Sequence, residues 1–133
     1  MSITYTLTRS LVTPQGTLSA ATVVVNEAET TATIAVPDPS TNMEVDLGIR
    51  SAGLAALYLL ATKSVNIFTN APSTGVPDNT LNLMANIPRI WTSSEGANLT
   101  NPVVAATVTK IYVTLVGTGD ATLEVRALYD ATP

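Results

Sequence analysis

Short runs in which Thr, Val, Ala or Leu alternate with hydroxyl, amide or charged residues recur along this chain, and Pro, Asn or Gly cuts each of them short. Breaks at roughly 10-residue spacing leave no room for an ordinary helix, whereas a period of two is what a strand with one buried and one wet face requires. Ile3, Tyr5, Leu7 and Leu11 alternate with Thr4, Thr6, Thr8 and Ser10, and Thr13 to Gly16 closes that strand as a turn. Leu18–Asn26 and Thr30–Val36 follow, their spacing across Glu27 to Glu29 suiting a hairpin. Pro37 to Asn42 carries two prolines and reads as a surface loop, and Met43 to Ile49 alternates again.

The apolar run Leu54 to Ala61 fits a buried strand or a short helix, and the strand is preferred, with Val65 to Asn70 as its expected hairpin partner across Lys63-Ser64. Ala71 to Asn79 and Ser94 to Pro102 read as long loops, with short strands around Leu81–Leu83 and Arg89–Thr92 between them. The expected third hairpin joins Ile111–Val116 to Leu123–Tyr129 across the turn chemistry of Gly117 to Asp120. The fold class is therefore all-β: an antiparallel, jelly-roll-like β-sandwich of about nine or ten strands, one domain spanning residues 1–133.

The side chains narrow the function. The chain has no His and no Cys, so it lacks the group that titrates near neutrality and the strongest nucleophile, and an enzyme is not expected. Six cations, Arg9, Arg50, Lys63, Arg89, Lys110 and Arg126, lie singly along a chain of net charge -4. Phosphate recognition needs them clustered, so nucleic acid is not an expected partner. The amino terminus alternates like a strand and lacks the pattern of a signal peptide, and no apolar run approaches the roughly 20 residues of a membrane helix. A soluble protein made in the cytoplasm, with no membrane partner, is expected. No P-loop, dinucleotide fingerprint or paired metal ligand appears, so no cofactor and no metal is expected.

Several constellations carry a chemical reading beside a plain one. Glu44 and Asp46 share a strand face and could hold a hard cation, though a solvated face explains them as well. Gly117-x-Gly-Asp120 resembles a fragment of a calcium or phosphate loop but lies between two strands, where a turn is the simpler reading. Lys63-Ser64 offers a Ser-Lys pair whose neighbours on a strand would point apart. Asn98-Leu-Thr100 fits a glycosylation acceptor without a secretory signal. Trp91 could pack in the core, anchor a subunit contact or stack on a sugar. Low charge, hydroxyl-rich faces and long Pro/Asn/Gly loops suit protein assembly, whose interfaces avoid charge at their centres.

Val45-Asp-Leu-Gly-Ile49, the run Leu59 to Asn70, Ile90-Trp-Thr-Ser93, Val108 to Thr114 and Leu123 to Asp130 together give the last two thirds of the chain a texture that resembles small virion proteins of tailed bacteriophages. The resemblance implies a capsid decoration or cement protein: a jelly roll or related sandwich on the outer capsid surface, bound to the major capsid protein as a homo-oligomer, with a trimer favoured. It supplies no catalytic residues. The contact residues expected are Ile3 and Tyr5 of the first strand, Pro37, Pro39, Pro72, Val76 and Pro77 of two loops, Trp91, and Leu99 and Pro102 of the third loop. The alternative is a carbohydrate- or receptor-binding module of a phage tail or appendage, with Trp91 and a loop carboxylate in its site.

Overall fold

The computed structural model describes residues 2–26, 28–50, 53–93 and 107–129. Twelve strands run through them: β1 (Ile3–Thr13), β2 (Gly16–Asn26), β3 (Ala28–Val36), β4 (Met43–Val45), β5 (Ile49–Arg50), β6 (Leu54–Ala61), β7 (Val65–Thr69), β8 (Thr80–Leu83), β9 (Arg89–Thr92), β10 (Thr107–Val108), β11 (Ile111–Leu115) and β12 (Ala121–Tyr129). There is no α-helix among them, and every strand pair is antiparallel.

The pairing describes one long folded ribbon. From its open end to its tip the rungs are β3 with β12, β4 with β11, β5 with β10, β6 with β9 and β7 with β8, the tip being the loop from Asn70 to Asn79. The ribbon then rolls up, so that β12 also pairs with β6 and β11 with β7. Two four-stranded sheets result, ordered β3-β12-β6-β9 and β4-β11-β7-β8. Eight strands in this order are a jelly roll. The all-β sandwich expected from the alternation is thus the observed fold, with β1 and β2 set outside its two sheets.

Alternation builds the core. Leu123, Val125 and Ala127 of β12 and Leu57, Leu59 and Ala61 of β6 face Val65, Ile67, Ile111 and Val113 of the other sheet, all nearly free of solvent. Such a layer of aliphatic side chains supplies the main stabilisation of a sandwich.

Three expected hairpins are not formed. β2 pairs with β1 and not with β3, and β6 and β7 lie in different sheets, as do β11 and β12. The reason is geometric. Alternation specifies which face of a strand is buried, and two consecutive strands bury those faces equally well side by side or stacked across the core. Here the Thr62–Ser64 and Val116–Asp120 connections are neighbouring arches: Val116 N donates to the Ser64 carbonyl at 2.9 Å, and Thr62 N to the carbonyl of Thr122 at the start of β12 at 3.0 Å. Gly117 and Gly119 both adopt φ of +93°, and Gly119 N donates to Asp38 Oδ2 at 2.8 Å. A β-carbon is strained at that φ, so Gly119→Ala should cost about 1–2 kcal/mol, read from the urea midpoint.

Candidate functional site

The strands β1 and β2 pair along all eleven of their residues, from Ile3 opposite Asn26 to Thr13 opposite Gly16, and with no other strand. They form an arm roughly 35 Å long. Residues directly opposite share a face, so one face carries Ile3, Tyr5, Leu7 and Leu11 with Val24, Thr22 and Leu18, and the other carries Val12, Val23 and Val25 among threonines. At its root the first face is half-buried, from Ile3 through Leu7. Beyond Thr8 the ribbon is in solvent: Leu11 is 60% exposed, Leu18 70% and Val12 77%.

The root lies over the outer face of the β3-β12-β6-β9 sheet. Ile3, Tyr5, Leu7 and Val24 line a cleft of about 720 Å³ together with Ala56, Tyr58, Ile90, Thr92, Glu29, Glu124 and Arg126 of that sheet. Leu128 and Ala56 are neighbours across β12 and β6; both are buried yet lie outside the core cluster, on the side where the root sits. A furrow of about 260 Å³ continues from the cleft between β3 and β12, lined by Thr31, Thr33, Glu29, Glu124 and Arg126.

The Tyr5 hydroxyl oxygen is buried and makes no hydrogen bond of good geometry. Burial, reinforced by the nearby Glu29 carboxylate, pushes its ionisation well above the usual phenol range. Between the ordinary phenol value near 10 and this raised value, the unfolded chain loses the proton while the folded chain keeps it. Stability should therefore fall as pH rises above about 10. A thermal melt series from pH 8.5 to 11 should show a steeper alkaline decline for the wild type than for Tyr5→Phe.

The expected contact residues separate. Ile3 and Tyr5 are on the arm root, facing the chain's own sheet. Pro37 and Pro39 are exposed in the β3–β4 loop. Val76 is 89% exposed, between half-buried Pro72 and Pro77. The loop bearing these three does not simply reach outward: Ser73 N donates to Asn42 Oδ1 at 3.0 Å, joining it to the end of the β3–β4 loop, and Asn70 Nδ2 donates to Asp78 Oδ2 at 2.7 Å. Trp91 is half-buried and packs against the core. Leu99 and Pro102, with the rest of the Ser94–Pro102 loop and Asn98, lie outside the described residues.

The remaining polar constellations have structural partners. Glu44 pairs with Lys110, whose ammonium is held above its ordinary range by the hydrogen bond and charge of Glu44. Both are well exposed, so Glu44→Gln should leave the urea midpoint unchanged. Ser64 Oγ accepts from Ala85 N, and Asp120 Oδ1 accepts from Asp38 N at 2.9 Å. Among the described residues no three metal-ligating side chains converge.

The arm tip and the buried pair Leu128–Ala56 were not singled out by the alternation. A signal for the tip exists in Leu11-Val12 and one for the buried pair in Ala55-Ala56-Leu57 and Ala127-Leu128, because consecutive apolar residues in a strand place apolar groups on both faces. No protein-family model, curated protein or solved structure matches the chain.

Proposed function

We propose that this chain is a non-enzymatic structural protein of a virion, a decoration or cement protein that binds the outer surface of a tailed-phage capsid as an oligomer. The observation that supports this reading is the arm: a jelly roll presents a two-stranded ribbon with Leu11 and Leu18 exposed on one face, Val12, Val23 and Val25 exposed among hydroxyl residues on the other, and Arg9 as its single charge. A solvated monomer gains nothing from Leu11, Val12, Leu18, Val23 and Val25 in water, whereas an assembly subunit buries them against a neighbour. The low charge and hydroxyl-rich surface fit the same task, since they cost little to desolvate. The host cytoplasm is the place of synthesis in this reading, and the major capsid protein is the partner.

Purified chain mixed with capsids that lack it should co-sediment with them and raise their resistance to heat or chelator. Light scattering of the chain alone should give a mass above that of a monomer. A strict monomer that ignores capsids would sink the proposal.

The cleft favours a second reading, a carbohydrate-binding module of a tail or appendage. Tyr5 and Tyr58 stand there beside Glu29, Glu124 and Arg126, a mixture of rings and charges that suits a sugar. Trp91 packs against the core and does not line this cleft. Glycan-array binding that Tyr58→Ala abolishes would select this reading, and absence of binding by either protein would reject it.

A further inference from the structure

Resting on the assembly reading above, we propose that two copies of this chain join edge to edge through β3, the two β3 strands pairing antiparallel about a two-fold axis at Ala32 so that the β3-β12-β6-β9 sheets of both copies run on as one.

β3 is the longest edge of the two sandwich sheets. It runs nine residues at the end of its sheet, whereas the other edges, β4, β8 and β9, have three or four, and among the described residues no strand pairs with its other side. The bond from Thr62 N to the Thr122 carbonyl fixes which of its groups are open. Thr122, and with it Glu124 and Arg126, turn their backbone groups toward β6, so Leu123, Val125 and Ala127 turn theirs toward β3. Their partners Ile34, Ala32 and Thr30 are thereby satisfied, and the N–H and C=O groups of Glu29, Thr31, Thr33 and Ala35 point outward along the free edge. Natural edges are blunted by Pro, Lys or a bulge, and β3 has no Pro, no Lys and an unbroken register with β12. On its inner face Ala32 and Ile34 are only half-buried against the core, an apolar margin that a continued sheet covers.

Charge selects the occupant and the register. On the outer face Thr31 stands beside Arg126 and Thr33 beside Glu124 of the same copy. If two edges met with Thr31 opposite Thr31, each row across the joint would run from Arg126 to Arg126, and with Thr33 opposite Thr33 from Glu124 to Glu124, both bringing like charges together. With Ala32 on the axis, Thr31 faces Thr33, and each central row runs from Arg126 of one copy across two threonines to Glu124 of the other. The backbones of that opposite-charge pair lie three strand spacings apart, roughly 14 Å, a gap that the long side chains narrow over the small hydroxyls. This register also sets Glu29 against uncharged Ala35 and uses the whole outward set, Glu29 with Ala35 and Thr31 with Thr33, each twice by symmetry. On the inner face Ala32 meets Ala32 and Thr30 meets Ile34. The edge is self-complementary, so the contact is isologous and closes at two copies.

The chain has no cysteine, so a cross-strand disulfide reads the register directly. Ala32 meets itself at a non-hydrogen-bonded position, where α-carbons lie ~4.5 Å apart, within the span of a disulfide. Ala32→Cys, mildly oxidised in solution and on capsids, should give a disulfide dimer. Thr30→Cys should not, because Thr30 meets Ile34 and not itself, and it should crosslink only when mixed with Ile34→Cys. Glu124→Arg and Arg126→Glu should each weaken self-association several-fold by light scattering, and an equimolar mixture should regain it, since every row then holds opposite charges again. A mixture that stays dissociated overturns the register. The wild type offers a readout without substitution: the Thr31 and Thr33 amides should resist hydrogen exchange where the chain associates and exchange freely on dilution. Association with neither the Ala32 disulfide nor this protection overturns the β3 contact and leaves the assembly reading standing. Protection that arises only on capsids, again without the disulfide, assigns the edge to a strand of the capsid protein and overturns self-pairing. A monomer that neither crosslinks nor binds capsids overturns both.

Discussion

Leu123→Ala should lower the unfolding free energy by about 3 kcal/mol, seen as a drop in the urea midpoint at unchanged slope. Leu123 is wholly buried near the start of β12, the strand that pairs with both β3 and β6. Its removal leaves a cavity between two hydrogen-bonded sheets that cannot close without moving both, so the loss exceeds simple transfer of the missing methyl groups from the core to water. The contrast is Val76→Ala. Its side chain stands in solvent on the loop at the ribbon tip, and its effect should stay within about 0.5 kcal/mol.

Leu128→Ala tests a different layer. This residue is as fully buried as Leu123 but follows Ala127, which faces the core, and so points to the outer side of the sheet. If the root of the arm covers it in solution, truncation should cost about 2–3 kcal/mol, the lower part of the range for a buried leucine, because a mobile cover can partly collapse into the gap. A second readout is specific to the arm. Tryptic cleavage after Arg9 requires the ribbon to open, and it should quicken several-fold in Leu128→Ala while cleavage sites in the sandwich stay protected. Equal protection of the arm in wild type and variant would mean that Leu128 is covered by something else.

These two leucines also show what the order of residues could and could not convey. Leu123, Val125 and Ala127 were legible as core because each alternates with a polar neighbour, and the same logic placed nearly every strand and the all-β class. Leu128 breaks the alternation, and only a cover on the outer face explains its burial. Pairing was less legible than burial. Lys63-Ser64 and Gly117 to Asp120 have the length and residues of hairpin turns, yet both are arches, because a strand's own pattern is silent about which edge meets which. The arm was half legible: its turn at Pro14-Gln15 was evident, but its independence from β3 depends on β12 taking the whole length of β3 as partner. Of the residues expected at contacts, the exposure of Pro37, Pro39 and Val76 was legible from turn chemistry alone, whereas the direction in which Trp91 and Tyr5 point depended on the register of strands far away in sequence.

The folded ribbon has a consequence for how the molecule is made. Its open end joins residue 28 to residue 129, so β3 waits without its partner until β12 has left the ribosome. Folds dominated by such distant pairings form slowly, and translation delivers only about 5–20 residues per second. The arm precedes that sheet in the chain and spends the interval with no sheet to rest on. A chain interrupted before β12 leaves β3 unpaired along its whole length and lacks the central strand of the sheet on which its own arm rests.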